Sequence, residues 1–299
     1  MNLKLILLLV LAMVSWGISW PLAKMISNLV PIHVLVFWRF LATFLSVVPL
    51  LFWKQKSFRL ASGSEYLSVL LGGIIYSIYN QFFFLGLQNG LPGAGGVLVT
   101  TLNPIVTFFL VVLVQKKKIT KRQALGLFVG FLGGLTILQV WKINWNLLFL
   151  SGNLFFLMCS FVWATLSLNS QRTSKTMSPL TYSFYVYGIG SIIEFLFCFS
   201  EPNFFHVWNF GFQFWAIVLY LSVISTTFGT TVYFFAASKL GSEIASSFIF
   251  IVPLSAYISS YLILNETVQI PVMLGGAMAI MAVYLINSKS RVVEQNILE

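Results

Sequence analysis

A weak internal repeat runs through an almost unbroken apolar chain. When the stretch 79–137 is slid along the sequence by 149 residues without a gap, Pro104 falls on Pro253, Leu125 on Leu274, Gly126 on Gly275 and Ile137 on Ile286. The aromatic run Phe82-Phe83-Phe84 falls on Thr231-Val232-Tyr233, which leads into Phe234-Phe235. Identity is low but the order of features agrees: an aromatic run, a break of small residues, a helix with a proline, a polar turn and a glycine-bearing helix. Paired halves in a chain that crosses a membrane many times are a recurring plan of carriers.

Composition fixes the solvent. Apolar residues make up 59% of the chain, charged residues 8%, and aspartate is absent; a soluble domain carries about 25% charged residues. The length of 299 residues suits about ten spans of roughly 20 residues. Ten apolar segments can be marked: 3–23, 32–52, 68–88, 93–114, 123–141, 148–168, 180–199, 213–237, 242–264 and 271–287. They must be helices, because a bilayer offers no water to an open backbone. The first 23 residues, with Lys4 and an apolar run, have the outline of a signal peptide. They lack a clear small-residue cleavage site and read as a retained helix. Cys159 and Cys198 both fall in apolar segments and imply neither a disulfide nor a metal.

The fold class expected is therefore all-α and integral to the membrane, with ten helices in two five-helix repeats. The first repeat covers 1–141 and the second 142–287, and 288–299 forms an exposed tail. With the N-terminus in the cytoplasm, inner loops hold 14 of the 17 basic residues, the outer loops keep Lys24 and Lys142, and Arg39 lies within a helix. This bias places both termini in the cytoplasm. Five spans per half is an odd number, so the second repeat enters upside down, an arrangement suited to alternating access around a midplane site. The net charge of +10 belongs to these loops, and nucleic acid is not expected as a partner.

Three groups of residues sharpen the picture. Trp16-Gly17 followed by Lys24 in the first helix is answered by Trp163-Ala164 in the sixth. Arg39 sits in a Trp-Arg-Phe-Leu-Ala run of the second helix. The break, proline helix, charged turn and glycine helix recur in both halves. On these residues, over nearly its whole length, the chain resembles the EamA-type ten-helix carriers of the drug/metabolite transporter superfamily. The resemblance implies a secondary transporter in the cell membrane of a bacterium, a permease or exporter of an amino acid, a metabolite or a related organic solute, working without a cofactor. One departure stands out. Where the family often has an acidic residue before the last helix of each half, the second half has Glu266 and the first has Lys117, which fits an orientation signal.

Polar residues inside the spans nominate a site. Helix three offers Tyr76, Tyr79, Asn80 and Gln81, and helix four Thr100, Thr101 and Asn103. Helix eight offers Ser225, Thr226, Thr227, Thr230 and Tyr233. With the mid-helix tryptophans, the substrate-binding candidates are Trp16, Tyr79, Asn80, Thr101, Asn103, Trp163, Thr226 and Tyr233. As the resemblance implies, helices one, three, four, six, eight and nine surround the site, and two, five, seven and ten are more peripheral.

Two intramembrane charges remain. Arg39 lies on the order of 10 Å below the outer end of its helix and Glu194 roughly 8 Å below the end of helix seven, so the two can pair. Arg39 is either an anchor for a substrate carboxylate or a structural cation that snorkels or bonds helix-end carbonyls. The structural role is the expectation. Glu194 is either a proton carrier or a carboxylate that reaches an aqueous vestibule, and both stay open. Glu243, opening helix nine, is expected to answer the helix dipole. Gly126, Gly130 and Gly134 mark a face for close helix packing, inside a monomer or between the halves of a homodimer.

The rivals fare worse. An integral-membrane enzyme would want clustered acids and histidines; only His33 and His206 are present, near outer ends of segments, and no catalytic or metal-binding set emerges. A channel would want a polar stripe or a charged ring. A flippase for lipids or lipid carriers shares the expected features and stays as the alternative.

Overall fold

A computed structural model describes residues 3–54, 57–89, 92–142, 151–202, 204–264 and 270–288. Ten helical spans fill it: α1 (Leu3–Ile26), α2 (Ile32–Trp53), α3 (Gly63–Asn89), α4 (Pro92–Gln115) and α5 (Lys121–Leu138) in the first half. The second half has α6 (Ser151–Thr173), α7 (Pro179–Cys198), α8 (Phe212–Leu240), α9 (Ser242–Ile263) and α10 (Ile270–Asn287). All but α5 are long and apolar enough to cross a membrane. In α5 the polar first turn Lys121-Arg122-Gln123 dilutes an otherwise apolar helix. That turn is a start signal: Thr120 caps the Gln123 amide, and the Gln123 side chain answers the Thr120 amide. Ser178 caps α7, with Pro179 in the first turn, where its missing N–H is harmless. The third span begins at Gly63 and not at Ser68, because Glu65 turns back to accept the Ala61 amide at 2.6 Å and the helix starts around it. Glu266, most of the tail after Asn287 and the expected start of the sixth span at Leu148 lie outside the described residues.

Helix contacts follow the repeat. Under the exchange of each helix with its counterpart five places on, α2 packs on α7, α4 on α9 and α5 on α10, while α3 packs on α6 as α8 packs on α1. Pairs that map onto themselves lie across a pseudo-twofold axis. The small-residue stripe of α5 is used inside the chain. A Cβ at Gly126 would lie 2.6 Å from Ile286, one at Gly130 2.5 Å from Phe250, and one at Gly134 2.2 Å from Thr101. Such close approach replaces the hydrophobic drive that is missing between helices in lipid. Large apolar side chains such as Phe212, Leu262 and Ile270 cover the outside, as a protein solvated by acyl chains requires.

Polar bonds knit the end that carries most of the basic residues. Lys117 pairs with Glu243 at 2.5 Å, Gln115 donates to Gln171 at 3.0 Å, and the Thr181 hydroxyl donates to the Ser57 carbonyl at 3.0 Å. The pair between Lys117 and Glu243 joins the turn before α5 to the start of α9. It revises two expectations, since Lys117 is more than an orientation signal and Glu243 answers a lysine as well as a dipole.

Two spans are irregular. Residues Tyr220–Thr230 of α8 form a π-helix, and Phe248–Ile251 of α9 a 3₁₀ turn just before Pro253. The proline lacks the N–H that would continue a regular ladder through that turn. Gly241, with φ of +96°, makes the corner between α8 and α9, a backbone state that a side chain would strain. Wide turns of the π type recur at functional sites, and this one faces the centre of the molecule.

Candidate functional site

At the pseudo-twofold axis the two repeat-related tryptophans meet. Trp16 and Trp163 are edge to face with ring centroids 4.9 Å apart, a favoured arrangement of aromatic quadrupoles. Trp16 is held by its indole N–H, which donates to the Ser225 carbonyl at 3.0 Å, a group presented by the π-helix. It can sit there because residue 229 is glycine: a Cβ would lie 2.8 Å from the indole nitrogen. Trp163 also packs on Tyr79 at 4.9 Å and on Tyr233 at 5.5 Å.

These rings line a central cavity of about 60 Å³. Trp16, Ser19 and Trp20 come from α1, Tyr76, Tyr79 and Phe83 from α3, and Val99, Thr100 and Asn103 from α4. The second half supplies Trp163 from α6, Ser225 and Thr230 from α8, and Ile249 and Val252 from α9. The wall is apolar and aromatic with a few converging polar groups, the usual make-up of a small-molecule site. Asn103 donates to the Ser160 carbonyl at 3.3 Å, and the Ser160 hydroxyl donates to the Val99 carbonyl at 3.3 Å. Together they lock α4 to α6 along this wall.

Arg39 is the exception among helices two, five, seven and ten: it reaches the cavity from α2. Arg39 is 8% exposed, and its guanidinium donates to Asn80 Oδ1 at 2.6 Å and to Thr226 Oγ1 at 3.0 Å. Each acceptor is itself fixed, since Asn80 donates to the Tyr76 carbonyl at 2.8 Å and Thr226 to the Leu221 carbonyl at 2.8 Å. The cation thus neither snorkels nor bonds a helix end. It bridges α3 and α8, so a residue of the more peripheral helices belongs to the cavity wall. The pairing of Arg39 with Glu194 that their similar depths allowed is absent among the described contacts: the two side chains bond into different clusters.

Glu194 is completely buried. It accepts from Ser77 Oγ and from Gln81 Nε2 at 2.6 Å, and it lies 2.8 Å from His33 Nδ1. The imidazole, 40% exposed, is the more accessible member of this cluster.

The structure brings Trp16, Tyr79, Asn103 and Trp163 together around the cavity, with Arg39. Asn80 and Thr226 stand one bond behind, holding the guanidinium, and Tyr233 lies beneath the tryptophans, bonded to Ser167 at 2.8 Å. Thr101 does not join them. It faces α5, and its side chain fills the space above Gly134. Sequence reasoning missed Trp20 and Phe83, although each lies one helical turn after a nominated residue, Trp16 and Tyr79, on the same face. It also missed Ser77 and His33 as partners of Glu194. The spacing of Ser77 and Gln81, four residues apart, was the available signal.

Comparison with known proteins agrees with this architecture. The profile of the EamA-like transporter family matches twice, over residues 3–139 and 150–288. An uncharacterized transporter of Archaeoglobus fulgidus is 27% identical over 294 residues, covering 97% of this chain and 99% of its own length. The uncharacterized transporter YyaM of Bacillus subtilis is 26% identical, covering 87% of this chain and 85% of its own. A protein crystal structure aligns over the whole of both chains with a TM-score of 0.76 at 15% identity, a likeness of fold alone. The chain is a membrane protein of the EamA-like transporter family, within the drug/metabolite transporter superfamily.

Proposed function

We propose that this chain is a secondary transporter of a small organic solute, working by alternating access across the cell membrane of a bacterium with both termini in the cytoplasm. The observation that carries the reading is the meeting of Trp16 and Trp163, one from each repeat, at a small central cavity of about 60 Å³. That volume admits a few water molecules. An organic solute needs the repeats to part, and rocking one repeat against the other opens such a site alternately to each side. A flippase would carry its cargo through a cavity open to lipid along one flank. The cavity is lined from both repeats, by residues of α1, α2, α3, α4, α6, α8 and α9.

Counterflow of radiolabelled metabolites and amino acids in proteoliposomes tests this. Accumulation of label driven only by unlabelled solute inside marks a carrier. The same assay with Trp163→Ala should fall by at least about tenfold, since removal of a buried tryptophan costs about 3–5 kcal/mol of local packing, whereas Trp163→Phe should retain part of the flux. A parent protein that moves lipid analogues and no water-soluble solute would favour the flippase.

The orientation has its own test. In a background with Cys159 and Cys198 replaced by serine, a cysteine at Lys118 should react with an impermeant maleimide only after the membrane is opened. One at Asn209 should react in intact cells. The reverse pattern would invert the topology.

A further inference from the structure

Among the described residues outside the central cavity, Glu194 gathers a group of ionisable and polar side chains. Three helices build it: His33 opens α2, Ser77 and Gln81 lie one turn apart on α3, and Glu194 comes from α7. The distances constrain where protons sit. His33 Nδ1 and Glu194 Oε2 are 2.8 Å apart, so one proton lies between them, on the nitrogen or on the oxygen. Gln81 Nε2 donates to that same oxygen at 2.6 Å and lies 3.0 Å from the same nitrogen. The shared proton can sit on either side of the short contact.

Access is graded in the right order. The His33 side chain is 40% exposed and that of Glu194 is 0% exposed. Phe197 stacks on the imidazole at 5.1 Å and, with Ile74, Ile78, Phe82 and Ile193, lines one mostly apolar groove together with the carboxylate. Other titratable groups are few on this side. From α2 there is His33, since Arg39 is turned to Asn80 and Thr226; α3 faces the carboxylate with neutral Ser77 and Gln81. On its own helix Cys198 follows one turn on, with Glu201 just beyond; Lys24, at the same end, donates to the Leu87 carbonyl. Among the described residues no group of acids and histidines could hold a metal.

We propose that His33 and Glu194 form a proton-binding site that couples solute movement to proton movement. The imidazole takes a proton from water on its outer nitrogen and passes the Nδ1 proton to Glu194 Oε2. The net change is one proton gained and a carboxylate made neutral, with no electrons moved. Neutralisation weakens the bonds by which Ser77 and Gln81 tie α3 to α7, because donors bind an anion more strongly than an acid. The consequence reaches the cavity by two short paths. Asn80, beside Gln81, holds Arg39, and α2 carries both His33 and Arg39. Helices α3 and α7 are close enough at Gly72 and Gly73, where an added Cβ would lie 2.5 Å and 2.4 Å from α7 side chains, for a small shift of one to move the other.

Two measurements on the full chain decide it. The first needs no solute. On acidification of reconstituted protein, infrared difference spectra should show the carbonyl band of a protonated carboxyl, absent in Glu194→Gln. In His33→Asn, which keeps Glu194, the band should persist with its pH midpoint moved. A band unchanged in Glu194→Gln, or no such band in the parent, overturns the site; should Glu194→Gln fail to fold, an unmoved midpoint in His33→Asn does so. The second rests on the carrier reading above and uses a solute found by counterflow. A pH gradient should drive its accumulation by the parent, and Glu194→Gln should keep counterflow but lose the gradient-driven accumulation by at least tenfold. Absence of counterflow in the parent defeats the carrier reading, with the spectra still deciding the proton site. Counterflow that is indifferent to pH, or that follows a sodium gradient, overturns the coupling.

Discussion

Arg39→Lys is expected to lose at least about nine-tenths of transport while remaining well expressed and monodisperse. The guanidinium spans two acceptors on different helices, Asn80 on α3 and Thr226 on α8, with one nitrogen for each. Hydrogen bonds to a charged group are worth about 1.5–3 kcal/mol each. A lysine ammonium is a point donor on a flexible stem, so it keeps one bond at a time and leaves the other acceptor facing the cavity. Loss of one such bond is worth roughly tenfold or more. Read from sequence alone, a snorkelling Arg39 would have tolerated lysine. The structure reverses that expectation, because Arg39 is buried against side chains and not extended toward water. Counterflow measured beside size-exclusion profiles checks it. Near-parental transport by the lysine variant would return Arg39 to a role in which the fork is irrelevant. Asn80→Ala and Thr226→Val each remove one acceptor and should each give part of the same loss.

The difference between those two views of Arg39 shows how far the sequence can be read. The helices were legible because lipid permits little else: apolar runs of about 20 residues fix the spans, and the repeat fixes their pairing. Helix faces were partly legible. Trp16 and Trp163 could be paired by repeat position alone, and they meet. Thr101 was misplaced because a threonine in an apolar helix looks the same whether it faces a cavity or a glycine on the next helix. The partners of Glu194 were invisible for another reason. His33 is 161 residues away and Ser77 117, and nothing local in the chain announces which helices lie side by side. The π-helix in α8 is the least legible feature. Its sequence, with Ser225, Thr226, Thr227 and Gly229, suits an ordinary helix. The wide turns are stabilised by contacts from elsewhere, Trp16 on the Ser225 carbonyl and Tyr187 on the Thr226 carbonyl.

The helix that carries Trp16 also carries the position least able to accept a side chain. A Cβ at Gly17 would lie 1.9 Å from Ser255 Oγ, and 2.6 Å from the backbone nitrogen of Ala256 on α9. The serine can turn away; the backbone cannot. Gly17→Val must therefore push α1 off α9, which draws Trp16 from its seat against Gly229 and widens the cavity at the interface between the repeats. Overpacking of this kind costs about 1–3 kcal/mol, and more where backbone is in the way. The valine variant should be recovered at a small fraction of the parental yield, or should melt well below the parent in detergent. Gly17→Ala should fall between the two, because it adds the Cβ alone. Gly63→Ala is the control, since a Cβ there meets nothing within 4 Å, and it should leave melting unchanged. If Gly17→Val instead melts with the parent but carries no solute, the contact between α1 and α9 is one that opens and closes during transport, and its tightness serves the cycle more than the fold.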